Sequence, residues 1–87
     1  MAVLIIVDTP GMTQQDYDAF AGDLPEGCTA HFAGPGPEGA WRVATVWDTP
    51  DKAKSFMQET LAPEFARLGV TPNPPVISQV HRALVAA

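Results

Sequence analysis

Val3-Leu4-Ile5-Ile6-Val7 is apolar at every position. A short run of mostly β-branched residues, closed by Asp8-Thr9-Pro10-Gly11, has the length and chemistry of a strand. Successive side chains of a strand point to opposite faces, so this one has no polar face and needs cover on both sides. The chain has 87 residues, one domain's worth. Its supply of covering elements is therefore small, and the rest of the sequence shows how small.

Thr13-Gln14-Gln15-Asp16 reads as a helix start, Thr13 capping and Asp16 returning the bond as in a capping box. Tyr17, Phe20, Ala21 and Leu24 fall at helical spacing, and Pro25-Glu26-Gly27 closes the element. Cys28 to Ala33 is a second strand, with Thr29, His31 and Ala33 expected on one face and Cys28, Ala30 and Phe32 on the other. Gly34-Pro35-Gly36-Pro37-Glu38-Gly39 is a turn by composition. Ala40 to Asp48 is the third strand, with Trp41, Val43, Thr45 and Trp47 on one face. Thr49-Pro50-Asp51 is a second helix start: an N-cap, a proline where no N–H is needed, and an acid at the positive end of the helix. Ala53, Phe56, Met57 and Leu61 form its apolar stripe. Pro63 is expected to divide the element after about Thr60, leaving a short turn with Phe65, and Gly69 suits the position just past its end. After the extended Thr71-Pro72-Asn73-Pro74-Pro75, Val76 to Val85 reads as a last strand.

The order β-α-β-β-α-β predicts an α+β, ferredoxin-like fold with a four-stranded antiparallel sheet, one domain over residues 1–87. Two helices cover one face of such a sheet. The other face, carrying part of the first strand with Ala44 and Val46, stays bare unless a second sheet packs on it. The sequence thus predicts a homodimer, with the last strand free to cross to the partner.

Charge and composition exclude several functions. Five basic residues against ten acidic ones, a net charge of −5, cannot build a phosphate-tracking stripe, so neither nucleic acid nor an anionic membrane is an expected partner. The longest apolar run, Ala2 to Val7, is far short of a membrane span. No positively charged stretch precedes it, as a secretory signal would require, so the expected location is cytoplasmic. Cys28 is the one cysteine; an internal disulfide and a cysteine-rich zinc site are excluded.

Several landmarks carry a resemblance: Trp41-Arg42-Val43-Ala44-Thr45-Val46-Trp47-Asp48, then Phe56 and Leu61-Ala62-Pro63, preceded by Gly27-Cys28-Thr29-Ala30-His31-Phe32-Ala33-Gly34-Pro35 and by Pro10-Gly11 after the first strand. With these the chain resembles the dimeric α/β-barrel superfamily, in the branch of small antibiotic-biosynthesis-monooxygenase-like proteins. The resemblance implies a homodimer and a pocket between sheet and helices in each subunit. It also implies chemistry of the monooxygenase, cyclase or isomerase type on aromatic or polyketide-like substrates. Haem-degrading relatives use an Asn, a Trp and a His. Here Asp8 stands where the Asn is sought, with Phe56 and Ala66 near the places of the other two, so that chemistry is not implied.

His31 and Asp8 are the candidate catalytic residues. A neutral imidazole in an apolar strand can take a phenolic proton; it can equally be an ordinary hydrogen-bonded histidine, and Asp8 an ordinary turn former. Trp41, Tyr17, Trp47 and His81 are candidate substrate contacts, with core packing the alternative for the aromatics. No ligand spacing for a metal joins His31 to His81, and no cofactor is expected. Two functions remain in view. One is an enzyme using neither metal nor flavin on a small aromatic or polyketide-like molecule. The other is a binding or accessory protein of the same fold with no turnover.

Overall fold

A computed structural model of the chain describes residues 1–84. Four strands, β1 (Val3–Thr9), β2 (Cys28–Pro35), β3 (Trp41–Trp47) and β4 (Val76–Gln79), form one antiparallel sheet in the order β2-β3-β1-β4. Helix α1 (Gln14–Phe20) joins β1 to β2, and α2 (Pro50–Phe56) with α3 (Ala62–Leu68) joins β3 to β4. This is the expected ferredoxin-like arrangement.

Along β1 the residues alternate: Val3, Ile5, Val7 and Thr9 are buried, and the even positions are half-buried. The odd face packs beneath the helices, where Ala53 of α2 and Trp47 of β3 complete the core with Val3, Ile5, Val7 and Cys28. The even face, carrying Leu4, Ile6, Ala44 and Val46, has no element over it among the described residues.

Both helix starts follow their caps. Asp16 N–H donates to Thr13 Oγ1 and Thr13 N–H to Asp16 Oδ2, at 3.0 and 3.1 Å. At α2, Lys52 N–H donates to Thr49 Oγ1 at 3.4 Å with Pro50 in the first turn.

Four expectations need correction. Helix α1 ends at Phe20 with Ala21 already extended. Gly22 is a poor helix residue and Pro25 follows, so Leu24 falls outside the stripe and lies exposed.

In β2 the register shifts between Cys28 and Ala30. The extra residue, Thr29, turns its hydroxyl to the Val46 carbonyl at 3.3 Å. This bulge puts Cys28 opposite Trp47, so Cys28 enters the core instead of sharing a face with Ala30 and Phe32.

Pro63 does not break the helical region. Residues 57–61 form one π-helical turn between α2 and α3, and the Ala62 N–H donates to the carbonyl of Met57, five residues back. Proline has no N–H, and its ring crowds the carbonyl four residues earlier, here that of Glu59. The wider turn relieves that crowding and lets the chain stay helical to Leu68. Gly69, with φ 71°, then ends it as expected.

The last strand stops at Gln79. Gln79 is opposite Val3, where β1 begins, and after the Val80 N–H bond to Ala2 no partner strand remains. The expected continuation to Val85 lies partly outside the described residues.

Candidate functional site

A small apolar cavity of about 50 Å³ sits between the odd face of the sheet and the helices. Ile5, Val7 and Thr9 of β1 and Val43 and Thr45 of β3 make its floor. Met12, Tyr17, Met57 and Phe65 close it from above. The π-helical turn matters here. One inserted residue shifts the phase of the helix, so Phe56 and Met57 both reach the cavity and Leu61 and Phe65 continue the contact. One water needs about 10–15 Å³ of such space, so the cavity as it stands has room for a few waters and for nothing the size of an aromatic ring system. The unbranched Met12 and Met57 are the side chains best able to give way to something larger.

His31 and Tyr17 form the polar corner. His31 of β2 lies opposite Thr45 on the cavity side of the sheet, and its Nε2 is hydrogen-bonded to the Tyr17 hydroxyl from α1. The rings are 5.8 Å apart, centre to centre. The Trp41 ring lies 5.5 Å from that of Tyr17, so Tyr17 contacts both His31 and Trp41. His31 lines the cavity but keeps an exposed edge, so it is a rim residue. Its inner side is desolvated against Tyr17, and this lowers its pKa below the usual histidine value. Desolvation, with a smaller contribution from Asp18, raises the pKa of Tyr17. Both shifts favour the neutral forms, so at pH 7 the pair is an imidazole and a phenol sharing one proton bond.

Trp47 is core and cavity wall together. It is 2% exposed, packs on Phe56 at 5.4 Å between ring centres, and donates Nε1–H to Thr45 Oγ1 at 2.9 Å. Trp41 differs: its Nε1 is buried with no hydrogen-bond partner among the described residues.

Asp8 does not join this group. It lies on the even face of β1, opposite Arg42, and the two form a bidentate ion pair at 2.7 and 2.8 Å. The Arg42 hydrogen bond holds the Asp8 carboxyl below its usual range. A strand alternates its faces, so the residue after Val7 points away from the cavity Val7 lines. His81 is likewise apart, exposed beyond the end of β4. Of the residues that line the cavity, the sequence singled out Tyr17, His31 and Trp47 as site candidates, and Trp41, expected as a substrate contact, is not in the lining. Met12 carries no local signal, but Thr9 does, because it shares the parity of Ile5 and Val7. Among the described residues no group of three or more His, Cys, Asp or Glu could hold a metal ion, and no helix is long and apolar enough to cross a membrane.

No protein-family model matches the chain, and no curated protein matches it. Solved structures do. A candidate antibiotic biosynthesis monooxygenase from Chloroflexus aurantiacus J-10-fl superposes with a TM-score of 0.62 at 17% identity, over 95% of this chain and 97% of that one. A second, from Deinococcus radiodurans, gives 0.61 at 11% identity, over 100% and 99%. At these identities the likeness concerns the path of the backbone, and it extends over nearly the whole of each chain. The chain therefore has the fold of the antibiotic-biosynthesis-monooxygenase-like proteins, the superfamily its landmarks resemble.

Proposed function

We infer that the protein is an enzyme of the monooxygenase, cyclase or isomerase type, acting on a small aromatic or polyketide-like substrate in the cavity beneath the helices. The observation that carries this reading is the Tyr17–His31 pair, a neutral proton acceptor and donor at the rim of an otherwise apolar cavity. A substrate phenol would give its proton to the Tyr17 oxygen as the Tyr17 proton passes to His31 Nε2. The positive charge then rests on the imidazole, at the one member of the site with an exposed edge. In an oxygenase, the resulting carbanion reduces dioxygen: the substrate loses two hydrogens and gains one oxygen, and the other oxygen leaves as water. The same proton transfer alone serves a cyclisation or isomerisation. Ligand entry requires Met12 and Met57 to move, since ligand pockets are commonly about 300–1,000 Å³.

The test is dioxygen uptake and product analysis with polycyclic phenols such as anthrone and 1-naphthol. Turnover that disappears in Tyr17→Phe and His31→Gln supports the reading. A phenol that binds and is recovered intact after long aerobic incubation favours a binding protein instead. The closed cavity and the single acid–base pair are what support that second reading.

The working unit is proposed to be a homodimer. Phe32 lies on the uncovered face of the sheet, opposite Ala44, and is 63% exposed; Val76 beside Ile6 is 61% exposed. Apolar groups in that position gain from burial against a like surface. Sedimentation at micromolar concentration is expected to give twice the chain mass, and Phe32→Asp to shift it toward one. A well-folded wild-type monomer at that concentration overturns the assignment.

A further inference from the structure

We propose that the Met57 side chain is a gate between the cavity and a second void, and that with Met57 swung aside the two form one channel that takes an unbranched apolar arm of the ligand. The inference rests on the cavity being the ligand site. The second void is an open groove of about 360 Å³ between α2 and β4. Val3, Ile5 and Ile77 of the sheet line it together with Ala53 and Met57 of the helical side. Ile5 and Met57 line the cavity as well. These two side chains therefore stand between the closed void and the open one.

They differ in how they can respond. Ile5 is 4% exposed and β-branched, so its first torsion is stiff. Met57 is half-buried and unbranched, with a flexible thioether. Its backbone is pinned: the N–H donates to the carbonyls of Ala53 and Lys54, and the carbonyl accepts the Ala62 N–H of the π-helical turn. The side chain alone moves, on a fixed hinge. The opening left by one methionine has the width of a single unbranched chain, and that sets the shape of the arm. The groove walls are apolar, and its rim carries both signs of charge, Asp51 and Lys54, so it selects neither an anion nor a cation. The cavity alone is too small for a ring system; joined to the groove it reaches the range of common ligand pockets. Ile77 pairs with Ile5 in the β1–β4 register and shares its face, the side of the sheet away from Phe32. A second copy packed on the Phe32 face leaves the groove open.

A series of 4-alkylphenols, from methyl to hexyl, keeps one head for the Tyr17–His31 pair and lengthens the arm. By calorimetry the affinity is expected to rise about 2- to 4-fold per added methylene, the upper figure corresponding to full burial of each. In protein with ¹³C-labelled isoleucine methyls, the Ile77 δ1 signal is assigned as the one missing from Ile77→Val. It is expected to move with 4-hexylphenol and to stay in place with 4-methylphenol. Met57→Ile, whose branched side chain cannot swing, is expected to lose the gain from chain length, whatever its affinity for 4-methylphenol. A full gain in Met57→Ile, or an Ile77 signal unmoved by 4-hexylphenol, overturns the channel. The cavity reading survives that result where 4-methylphenol still moves the His31 ring signals. If no probe moves His31, the cavity reading fails, and the channel with it. An Ile77 signal that follows protein concentration instead of probe assigns the groove to a second copy and also overturns the channel. The wild-type Ile77 signal decides the matter even where Met57→Ile folds poorly.

Discussion

Replacing His31 with glutamine is expected to lower kcat/KM by about 10²- to 10⁴-fold, the range for losing a positioned acid–base group. The fold should survive, because His31 sits at the rim and contributes little to the core around Trp47. Glutamine can still bond the Tyr17 hydroxyl but cannot hold a proton at neutral pH. A purely structural contact would thus be rescued and a proton acceptor would not. The wild-type pH profile carries the same signature. His31 works as a base only when neutral, and desolvation has lowered its pKa from the usual value near 6.5. Activity should therefore rise with pH through a midpoint below 6.5 and stay level above it, up to the titration of the substrate itself. NMR titration of the imidazole should give the same midpoint. Unchanged turnover in His31→Gln, or a profile with no acid limb, would remove His31 from the reaction.

The fold was largely legible, because the signals that specify it are local. The capping box at Thr13 and the Thr49-Pro50 start needed no tertiary information. Neither did the all-apolar first strand, which implies cover on both faces. The misreadings arose where geometry depends on a neighbour. The Thr29 bulge has no glycine or proline to mark it; it exists because β2 must match β3, and it moved Cys28 from one face to the other. The end of β4 is set by where β1 begins, since a ladder needs a partner. At Pro63 the sequence correctly signals a lost N–H bond. Whether the chain breaks or widens its turn depends on what the next helical residues pack against, here the cavity that Phe65 lines.

The site was legible in part for the same reason. His31 and Tyr17 are the chain's titratable and phenolic groups on apolar elements, but only the fold brings α1 over β2. Asp8 illustrates the opposite case. Its distance in sequence from Val7 is one, yet the pleat puts it on the other side of the sheet, paired with Arg42. Thr9, one residue further, returns to the cavity. Strand parity could have separated these two residues without a structure.

Trp47→Ala is expected to be the most damaging single substitution in the core. Trp47 is 2% exposed and touches both layers, Phe56 above and the β1 face below. Truncating a buried tryptophan costs about 3–5 kcal/mol. A domain of this length is stabilised by about 4–13 kcal/mol in total, at about 0.05–0.15 kcal/mol per residue, so the loss can leave much of the chain unfolded. Trp47→Phe keeps most of the ring volume and removes the Nε1–H bond to Thr45. That change is expected to cost about 1–2 kcal/mol, combining the lost bond with a small void. The ordering of the two variants is the informative part: a large gap between alanine and phenylalanine means that volume, not the hydrogen bond, holds the layers together. Urea unfolding followed by far-UV circular dichroism gives both values. Each curve should be repeated at two protein concentrations, because a dimer ties its apparent stability to protomer concentration. A Trp47→Ala chain that unfolds at the wild-type midpoint would show that the helices do not rest on this side chain.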